Sequence, residues 1–210
     1  QSSAASDVYK RQKLFMINSP NNPSGKYYDT EMLKKLSEVL NEHNNIFISS
    51  DDIYEHIHWG SEKFHNILNV CPELKSRTII LNGVSKAYSM TGWRIGYAAG
   101  NSEIIKKMKT LQSQSTSCAS SVSQAAACSA LSHTCEEMPV MNNEYKKRHD
   151  YVVSELNKIE GVNCRPTDGT FYVFPAFKKF IELNSNISND SELALYLSLI
   201  HISEPTRHVD

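Results

Sequence analysis

Short apolar runs alternate with amphipathic segments along most of the chain. Each run stops or starts at turn-forming or polar residues, which is typical of buried strands. The predicted strands cover residues 13–18, 46–50, 78–81 and 94–99. Because strands that alternate with helices form parallel sheets covered by helices, we predict an α/β fold with a mostly parallel sheet.

Apolar residues at helical spacing predict helices between and after these strands. The predicted helices cover residues 30–44, 102–112, 120–132 and 136–159. Thr30 and Ser102 are expected to cap the first two helices, and Gly161 is expected to end the last. The run Thr170–Phe174 predicts one more strand after a loop.

A change of pattern near Cys135 predicts a domain boundary. Residues 13–135 are expected to be part of a large domain. Residues 136–196 are expected to form an interdomain helix and the start of a smaller α+β domain.

One short DNA element, read on its two strands, can encode segments at both ends of the chain. Residues 7–12 read DVYKRQ and residues 197–202 read LSLIHI. The codons GAT GTG TAT AAG AGA CAG encode the first run, and their reverse complement encodes the second. Together with their flanks, the runs resemble transposase adapters used in sequencing libraries. We therefore expect residues 1–12 and 197–210 to be non-native.

Composition narrows the classes of function. A net charge of −1 gives no electrostatic basis for nucleic-acid binding. No apolar run approaches the roughly 20 residues of a membrane span, so we predict no membrane partner. Five cysteines without a CxxC pair favour a reducing, cytoplasmic compartment. We predict no metal site, since the pair His56 and His58 has no third ligand at suitable spacing.

Candidate chemistry converges on one edge of the predicted sheet. In such sheets, ligands bind beyond the carboxyl ends of the strands. The first three strands lead there to Asn22, Asp51 and the loop Gly83–Lys86, and the fourth begins with Arg94. This convergence predicts a binding or catalytic site.

Lys86 lies in GVSKAYSMTGWRIG, a segment with two glycines around Arg94 and only two charges. A lysine amine is the group that forms an imine with an aldehyde, although most lysines are surface charges. The segment resembles the cofactor-lysine signature of class I/II aminotransferases, of pyridoxal-phosphate (PLP) fold type I, at every position. The resemblance implies that Lys86 is catalytic and holds PLP.

Two further segments resemble the same family in the same chain order. SPNNPSG is similar to its NPxG loop, whose asparagine maps to Asn22. SDDIYE is similar to its DxxY segment, whose residues map to Asp51 and Tyr54. The resemblance implies that Asn22 and Tyr54 bond the 3′ oxygen of PLP, while Asp51 keeps the pyridine nitrogen protonated and makes the ring an electron sink.

The phosphate of PLP is expected to lie near Arg94, whose planar guanidinium gives two parallel charge-assisted bonds. Ser85 is expected to lie near the same phosphate. Many family members have a serine at the position of Gly83, so this chain departs from the pattern at one phosphate contact.

The segments SDDIYEHI, NGVSKAYSMTGWRIGYAAG and QSQSTS are most similar to bacterial aspartate-type members. This similarity implies transfer of an amino group from aspartate to 2-oxoglutarate, and a homodimer in the full-length protein. Aminotransferases for aromatic amino acids, alanine or prephenate, and PLP-dependent lyases, remain alternatives on the same fold. An alternative of another class is the PLP-binding effector domain of a transcription regulator.

The family's glycine-rich phosphate loop and ring-stacking aromatic are expected upstream of Lys13, and its carboxylate-binding arginine downstream of Tyr196. We therefore expect this segment alone to be inactive and to fold poorly, because much of its sheet and core would be absent.

Overall fold

The computed structural model describes residues 11–133 and 135–203, which fall into two compact units. Among the described residues, the first unit comprises the chain up to Lys146 together with Thr167–Tyr172, and the second comprises Lys147–Pro166 and the chain from Val173 to Ser203. The two units divide between Lys146 and Lys147, after the domain boundary that was predicted near Cys135. The predicted assignment of the two domains stays a prediction. Residues 1–10 and 204–210 of the adapter-like ends lie outside the described residues.

Four strands of the first unit form one sheet in the order β1-β2-β3-β4. Their bounds are β1 Leu14–Asn18, β2 Phe47–Asp51, β3 Thr78–Gly83 and β4 Gly96–Gly100. The first three are parallel, and β4 is antiparallel to β3. The predicted mostly parallel sheet is confirmed, and each of its four predicted strands forms.

The helices of the first unit lie between and after the strands. They are α1 Thr30–Glu42, α2 Ile67–Val70, α3 Ser102–Ser115, α4 Ser121–Ser132 and the first part of α5 Glu137–Leu156, with 3₁₀ turns at Pro72–Arg77 and Thr91–Trp93. The second unit holds the remainder of α5, then α6 Lys178–Leu183 and α7 Asp190–Ser203. Within the described ranges, no helix combines the length and apolarity required to cross a bilayer.

The predicted caps of α1 and α3 are wrong by one residue. Asp29, not Thr30, caps α1, and its carboxylate accepts a backbone N–H of the first turn at 2.7 Å. Asn101, not Ser102, caps α3 by accepting a backbone N–H at 2.9 Å. Thr30 and Ser102 are already the first residues of their helices. A side chain at that position is not placed to accept the free N–H groups of the first turn.

The core of the first unit lies between the sheet and helices α1 and α2. Leu33 and Leu40 of α1 are buried in one cluster with Ile17 of β1 and Ile48 of β2. Burying a side chain of this size stabilises a fold by roughly 1.5–3 kcal/mol. This packing fixes β1 and β2, whose carboxyl ends carry Asn18 and Asp51.

The second unit is organised by the turn after α5. The predicted helix end at Ile159 is wrong, because α5 ends at Leu156. Gly161 instead has φ +83, and a Cβ there would lie 2.7 Å from the Phe180 backbone. The Asn157 side chain pairs with the backbone of Cys164 at 2.8 and 2.9 Å, which holds this turn closed.

The strand predicted at Thr170–Phe174 does not form. Thr170 has φ +63, which interrupts an extended backbone. Its N–H bonds Ile57 O at 2.7 Å, and Gly169 makes only an isolated bridge with His58. Residues 170–172 therefore form an irregular segment of the first unit.

Candidate active site

The register of the sheet brings the candidate residues to one edge. Asn18 and Asp51 are paired at the ends of β1 and β2. Gly83 at the end of β3 is paired with Gly96 at the start of β4. Because β4 is antiparallel, its start lies at the same edge as the carboxyl ends of the other strands. The predicted convergence of loops from the four strands is therefore confirmed.

Lys86 lies on the turn that directly follows β3. Val84 and Ala87 beside it are 0% and 2% exposed, which anchors the turn in the core. The Lys86 amine lies 5.9 Å from the centroid of the Tyr54 ring and 5.4 Å from that of Phe171. Aromatic faces attract an ammonium group at such distances, so the rings hold the amine close to the sheet edge.

Tyr54 lies on the turn after β2 and is 3% exposed. Its hydroxyl is 2.8 Å from the hydroxyl of Tyr172, and either oxygen can be the donor. Burial raises the pKa of the Tyr54 phenol well above its usual value, and the nearby charge of Asp51 adds to this effect. Tyr54 therefore keeps its proton at neutral pH and is available as a hydrogen-bond donor.

Asp51 is the last residue of β2 and is half-buried. Its Oδ1 accepts the Ile53 N–H at 3.2 Å, which orients the carboxylate beyond the strand end. Its backbone carbonyl accepts the Asn18 side-chain amide at 3.0 Å. The carboxylate thus stands beside Tyr54, close enough for its charge to contribute to the raised pKa of that phenol.

Asn22 lies in the loop after β1 and is exposed. Its backbone N–H donates to Asn18 Oδ1 at 2.7 Å, while Asn18 Nδ2 donates to the Asp51 carbonyl. Asn18 therefore ties the Asn22 loop to the end of β2. This linking role of Asn18 was not predicted, because a single asparagine at a strand end carries no distinctive sequence signal.

Arg94 and Ser85 are brought to the same edge from either side of it. Ser85 is half-buried on the Lys86 turn. Arg94 precedes β4, is exposed and has left-handed backbone angles of φ 51 and ψ 50. Its Nη1 donates to the Thr91 carbonyl at 3.1 Å, within its own turn. The structure thus places Arg94 just before β4, at the sheet edge that the Lys86 turn follows.

Gly83 lies where a side chain meets the backbone of the facing strand. A Cβ at this position would be 3.1 Å from Ile53 Cδ1 and 3.2 Å from both Gly96 Cα and Ile95 O. These distances are shorter than ordinary van der Waals contact between carbon atoms. The close pairing of β3 and β4 therefore disfavours a side chain at this position.

Phe171 and Tyr172 were missed as candidate site residues. They follow the long helix α5 in the chain, yet they lie beside Lys86 and Tyr54. The aromatic pair FY is the only local signal, and its composition predicts a strand. Nothing in the local pattern shows which distant residues such a pair contacts.

The pair His56 and His58 belongs to the surroundings of the site. His56 Nε2 lies 3.4 Å from Glu55 Oε1, while the His58 ring packs near Tyr27 and Phe64. Burial, followed by the charge of His56, lowers the pKa of His58. Among the residues that the structure describes, no three His, Cys, Asp or Glu side chains are arranged to hold a metal ion.

Comparison with known proteins identifies the family of this arrangement. The model of the family "Aminotransferase class I and II" matches residues 2–201. The match includes parts of both adapter-like ends, and the assignment of those ends as non-native stays a prediction.

Curated relatives and a solved structure agree with this match. The aspartate/prephenate aminotransferase of Nitrosomonas europaea is 45% identical over 190 residues, which cover 89% of this chain and 48% of the relative. The aspartate aminotransferase of Rhizobium meliloti is 42% identical over 194 residues, 90% of this chain and 47% of the relative. The chain therefore spans about half the length of the curated relatives it matches.

The crystal structure of the aspartate aminotransferase from Rhizobium meliloti superposes with a TM-score of 0.84 at 41% identity. The superposition covers 89% of this chain and 48% of that chain. The predicted class, an α/β fold of PLP fold type I, is confirmed.

Proposed function

This chain belongs to the aminotransferase class I and II family, and we propose that it is the central part of an enzyme that transfers an amino group between an amino acid and a 2-oxo acid. The observation that carries the proposal is the position of the Lys86 amine. It lies over the Tyr54 ring, at the same sheet edge as the Asp51 carboxylate. The half coverage of the relatives supports the view that the intact enzyme is longer than this chain.

We propose PLP as the cofactor, because the groups at this edge match its parts. The Lys86 amine suits the aldehyde of PLP, and the Asp51 carboxylate suits its pyridine nitrogen. The buried Tyr54 phenol suits the ring oxygen, and the Arg94 guanidinium suits the phosphate. The second oxygen of Asp51 takes part in no hydrogen bond among the described residues, so it is available to a protonated ring nitrogen. When bound, PLP supplies an aldehyde for amines to condense with and a ring that accepts electrons.

Lys86 acts in this proposal as the cofactor-holding amine and as the general base. With PLP bound, the Lys86 amine would hold the cofactor aldehyde. The same amine would be the group placed to accept and return the proton of the substrate α-carbon. The aromatic rings 5.4 and 5.9 Å away limit the positions that this amine can take.

Asp51 and Tyr54 set the electronic properties of the site. The Asp51 carboxylate would hold a proton on the pyridine nitrogen, since an adjacent anion favours the charged form of a base. Tyr54 would donate a hydrogen bond to the ring oxygen, because its raised pKa keeps the phenol neutral. Asn22 would donate to the same oxygen from the loop that Asn18 ties to β2.

Arg94 and Ser85 are proposed to hold the phosphate. The Arg94 guanidinium can form two charge-assisted hydrogen bonds with a phosphate, and Ser85 offers a hydroxyl and a backbone N–H from the Lys86 turn. No serine hydroxyl is available at Gly83, where a Cβ would lie 3.1 to 3.2 Å from its neighbours. The phosphate is therefore expected to depend more strongly on Arg94 than in relatives that carry this serine.

Aspartate and 2-oxoglutarate are the proposed substrates, because the similar proteins carry names of aspartate aminotransferases. Prephenate is a second candidate, because the relative from Nitrosomonas europaea is named an aspartate/prephenate aminotransferase. We also propose that the intact enzyme is a cytoplasmic homodimer. A panel of 2-oxo acids tested with the intact enzyme distinguishes the substrates, and sedimentation measures the oligomeric state.

Substituting Lys86 tests the proposal. We expect Lys86→Ala in the intact enzyme to abolish the visible absorption of the lysine-bound cofactor and to lower the rate of transamination by roughly a thousandfold. The control is Lys107→Ala, which removes an exposed lysine of α3 and should change neither quantity. The proposal is wrong if Lys86→Ala keeps both the absorption and the activity of the unmodified enzyme.

A further inference from the structure

Residues Gly169–Tyr172, here called the aromatic segment, connect the two loops that carry candidate cofactor contacts. The Gly169 N–H donates to the Gly25 carbonyl at 3.0 Å, in the loop of Asn22. The Thr170 N–H donates to the Ile57 carbonyl at 2.7 Å, in the turn that follows Tyr54. One short segment therefore fixes both loops relative to each other.

The backbone of the aromatic segment is held in an uncommon conformation. Thr170 is fully buried and has φ +63, although a β-branched residue strongly disfavours positive φ. Its hydroxyl accepts the Tyr172 N–H at 3.2 Å. Such strain persists only where the surroundings impose it, and it is found preferentially at functional sites. Here the bend at Thr170 directs the next two side chains toward Lys86 and Tyr54.

Both aromatic side chains of the segment contact candidate active-site residues. The Phe171 ring lies 5.4 Å from the Lys86 amine and packs edge-on against the Tyr54 ring at 5.6 Å. The Tyr172 hydroxyl lies 2.8 Å from the Tyr54 hydroxyl. A hydroxyl has one proton and two lone pairs, so the direction of this hydrogen bond decides where the Tyr54 proton points.

We propose that Tyr172 is a positioning residue for the transfer reaction, donating its hydroxyl proton to the Tyr54 oxygen so that the Tyr54 proton is directed to the ring oxygen of the cofactor. This inference rests on the proposed function. A phenol that accepts a hydrogen bond becomes a stronger donor, because each bond in a chain polarises the next. Tyr172 thus acts on the cofactor through Tyr54 and does not itself touch the reacting atoms.

The test is Tyr172→Phe in the intact enzyme, which deletes the hydroxyl and keeps the ring. Hydrogen bonds to the ring oxygen stabilise its negative charge and thereby lower the pH at which the visible absorption of the bound cofactor changes. We expect Tyr172→Phe to raise this midpoint by a few tenths of a pH unit, less than Tyr54→Phe does. We also expect kcat to fall a few-fold with KM little changed, and the unfolding temperature to stay the same.

The matched control is Tyr145→Phe. The Tyr145 ring packs against Phe171 with ring centroids 5.5 Å apart, but its hydroxyl is not part of the pair formed by Tyr54 and Tyr172. This variant should leave the absorption midpoint unchanged.

Three outcomes contradict the inference. In the first, Tyr172→Phe leaves the absorption midpoint unchanged while Tyr54→Phe moves it. In the second, Tyr145→Phe moves the midpoint as far as Tyr172→Phe does. In the third, Tyr172→Phe lowers the unfolding temperature without moving the midpoint, which indicates a purely structural role. The proposed function is tested separately by Lys86→Ala. If this variant keeps the visible absorption of the lysine-bound cofactor, the proposed function itself is wrong.

Discussion

Gly83 shows how the spacing of two strands limits the chemistry of the site. It faces Gly96 across the antiparallel pair, and a Cβ would lie 3.2 Å from the Gly96 Cα. We expect Gly83→Ser to lower the free energy of unfolding by about 1–3 kcal/mol, because neither backbone can move away easily. Chemical denaturation of the intact enzyme measures this change.

Gly92→Ala is the control for Gly83→Ser. A Cβ at Gly92 meets nothing within 4 Å among the described atoms, so the free energy of unfolding should change by no more than about 0.5 kcal/mol. An equal loss of stability in both variants, or no loss in Gly83→Ser, contradicts the explanation given for this glycine.

Single residues differ in how far the sequence alone reveals their place. Lys86, Asp51 and Tyr54 lie in short motifs with fixed spacing, and the structure brings them together as expected. Tyr172 lies more than one hundred residues after Tyr54 in the chain, and the two meet only through the tertiary fold. A hydrogen bond over such a separation leaves no local pattern from which it could be predicted.

Two neighbouring side chains at the start of α1, Asp29 and Thr30, differ in whether they cap the helix. The Asp29 carboxylate accepts a first-turn N–H, whereas the Thr30 hydroxyl donates to Glu62 at 3.1 Å. We expect Asp29→Ala to lower the free energy of unfolding by about 1 kcal/mol. Thr30→Ala should cost less than about 0.5 kcal/mol, since it removes only an exposed contact. A larger loss for Thr30→Ala than for Asp29→Ala, measured by denaturation, shows that the cap is misassigned.

Strands and helices were predicted well where the apolar pattern is set by one buried face. The strands of the sheet are short apolar runs, and Leu33 and Leu40 mark the buried face of α1. The run Thr170–Phe174 has the composition of a strand, but its N–H groups bond a turn and a side chain instead of a neighbouring strand. β-propensity is easily overridden by such tertiary contacts, which is why this prediction failed.

Exposed apolar side chains on β1 and β2 predict that the isolated chain self-associates. β1 is an edge strand of the described sheet, and Leu14, Met16 and Phe47 are 54%, 69% and 48% exposed. An edge strand with exposed apolar side chains promotes pairing between chains. We expect the isolated 210-residue chain to bind a hydrophobic dye and to self-associate, as measured by fluorescence and size-exclusion chromatography.

A charge on the edge strand should suppress this association. We expect Met16→Lys to reduce self-association of the isolated chain, because a lysine on an edge strand opposes pairing. Leu111→Lys is the control, since Leu111 is 72% exposed but lies on helix α3. An isolated chain that is monomeric, binds no dye and catalyses transamination contradicts the expectation that this segment alone folds poorly and is inactive.

Chemical reduction tests most directly which side chain holds the cofactor. The intact enzyme is loaded with PLP, treated with borohydride to make the carbon–nitrogen link permanent, digested and examined by peptide mass spectrometry. We predict that the cofactor mass is found on the peptide containing Lys86, and that Lys86→Arg abolishes this label while Lys107→Arg leaves it intact. A label on a different lysine, with Lys86 unmodified, contradicts the account.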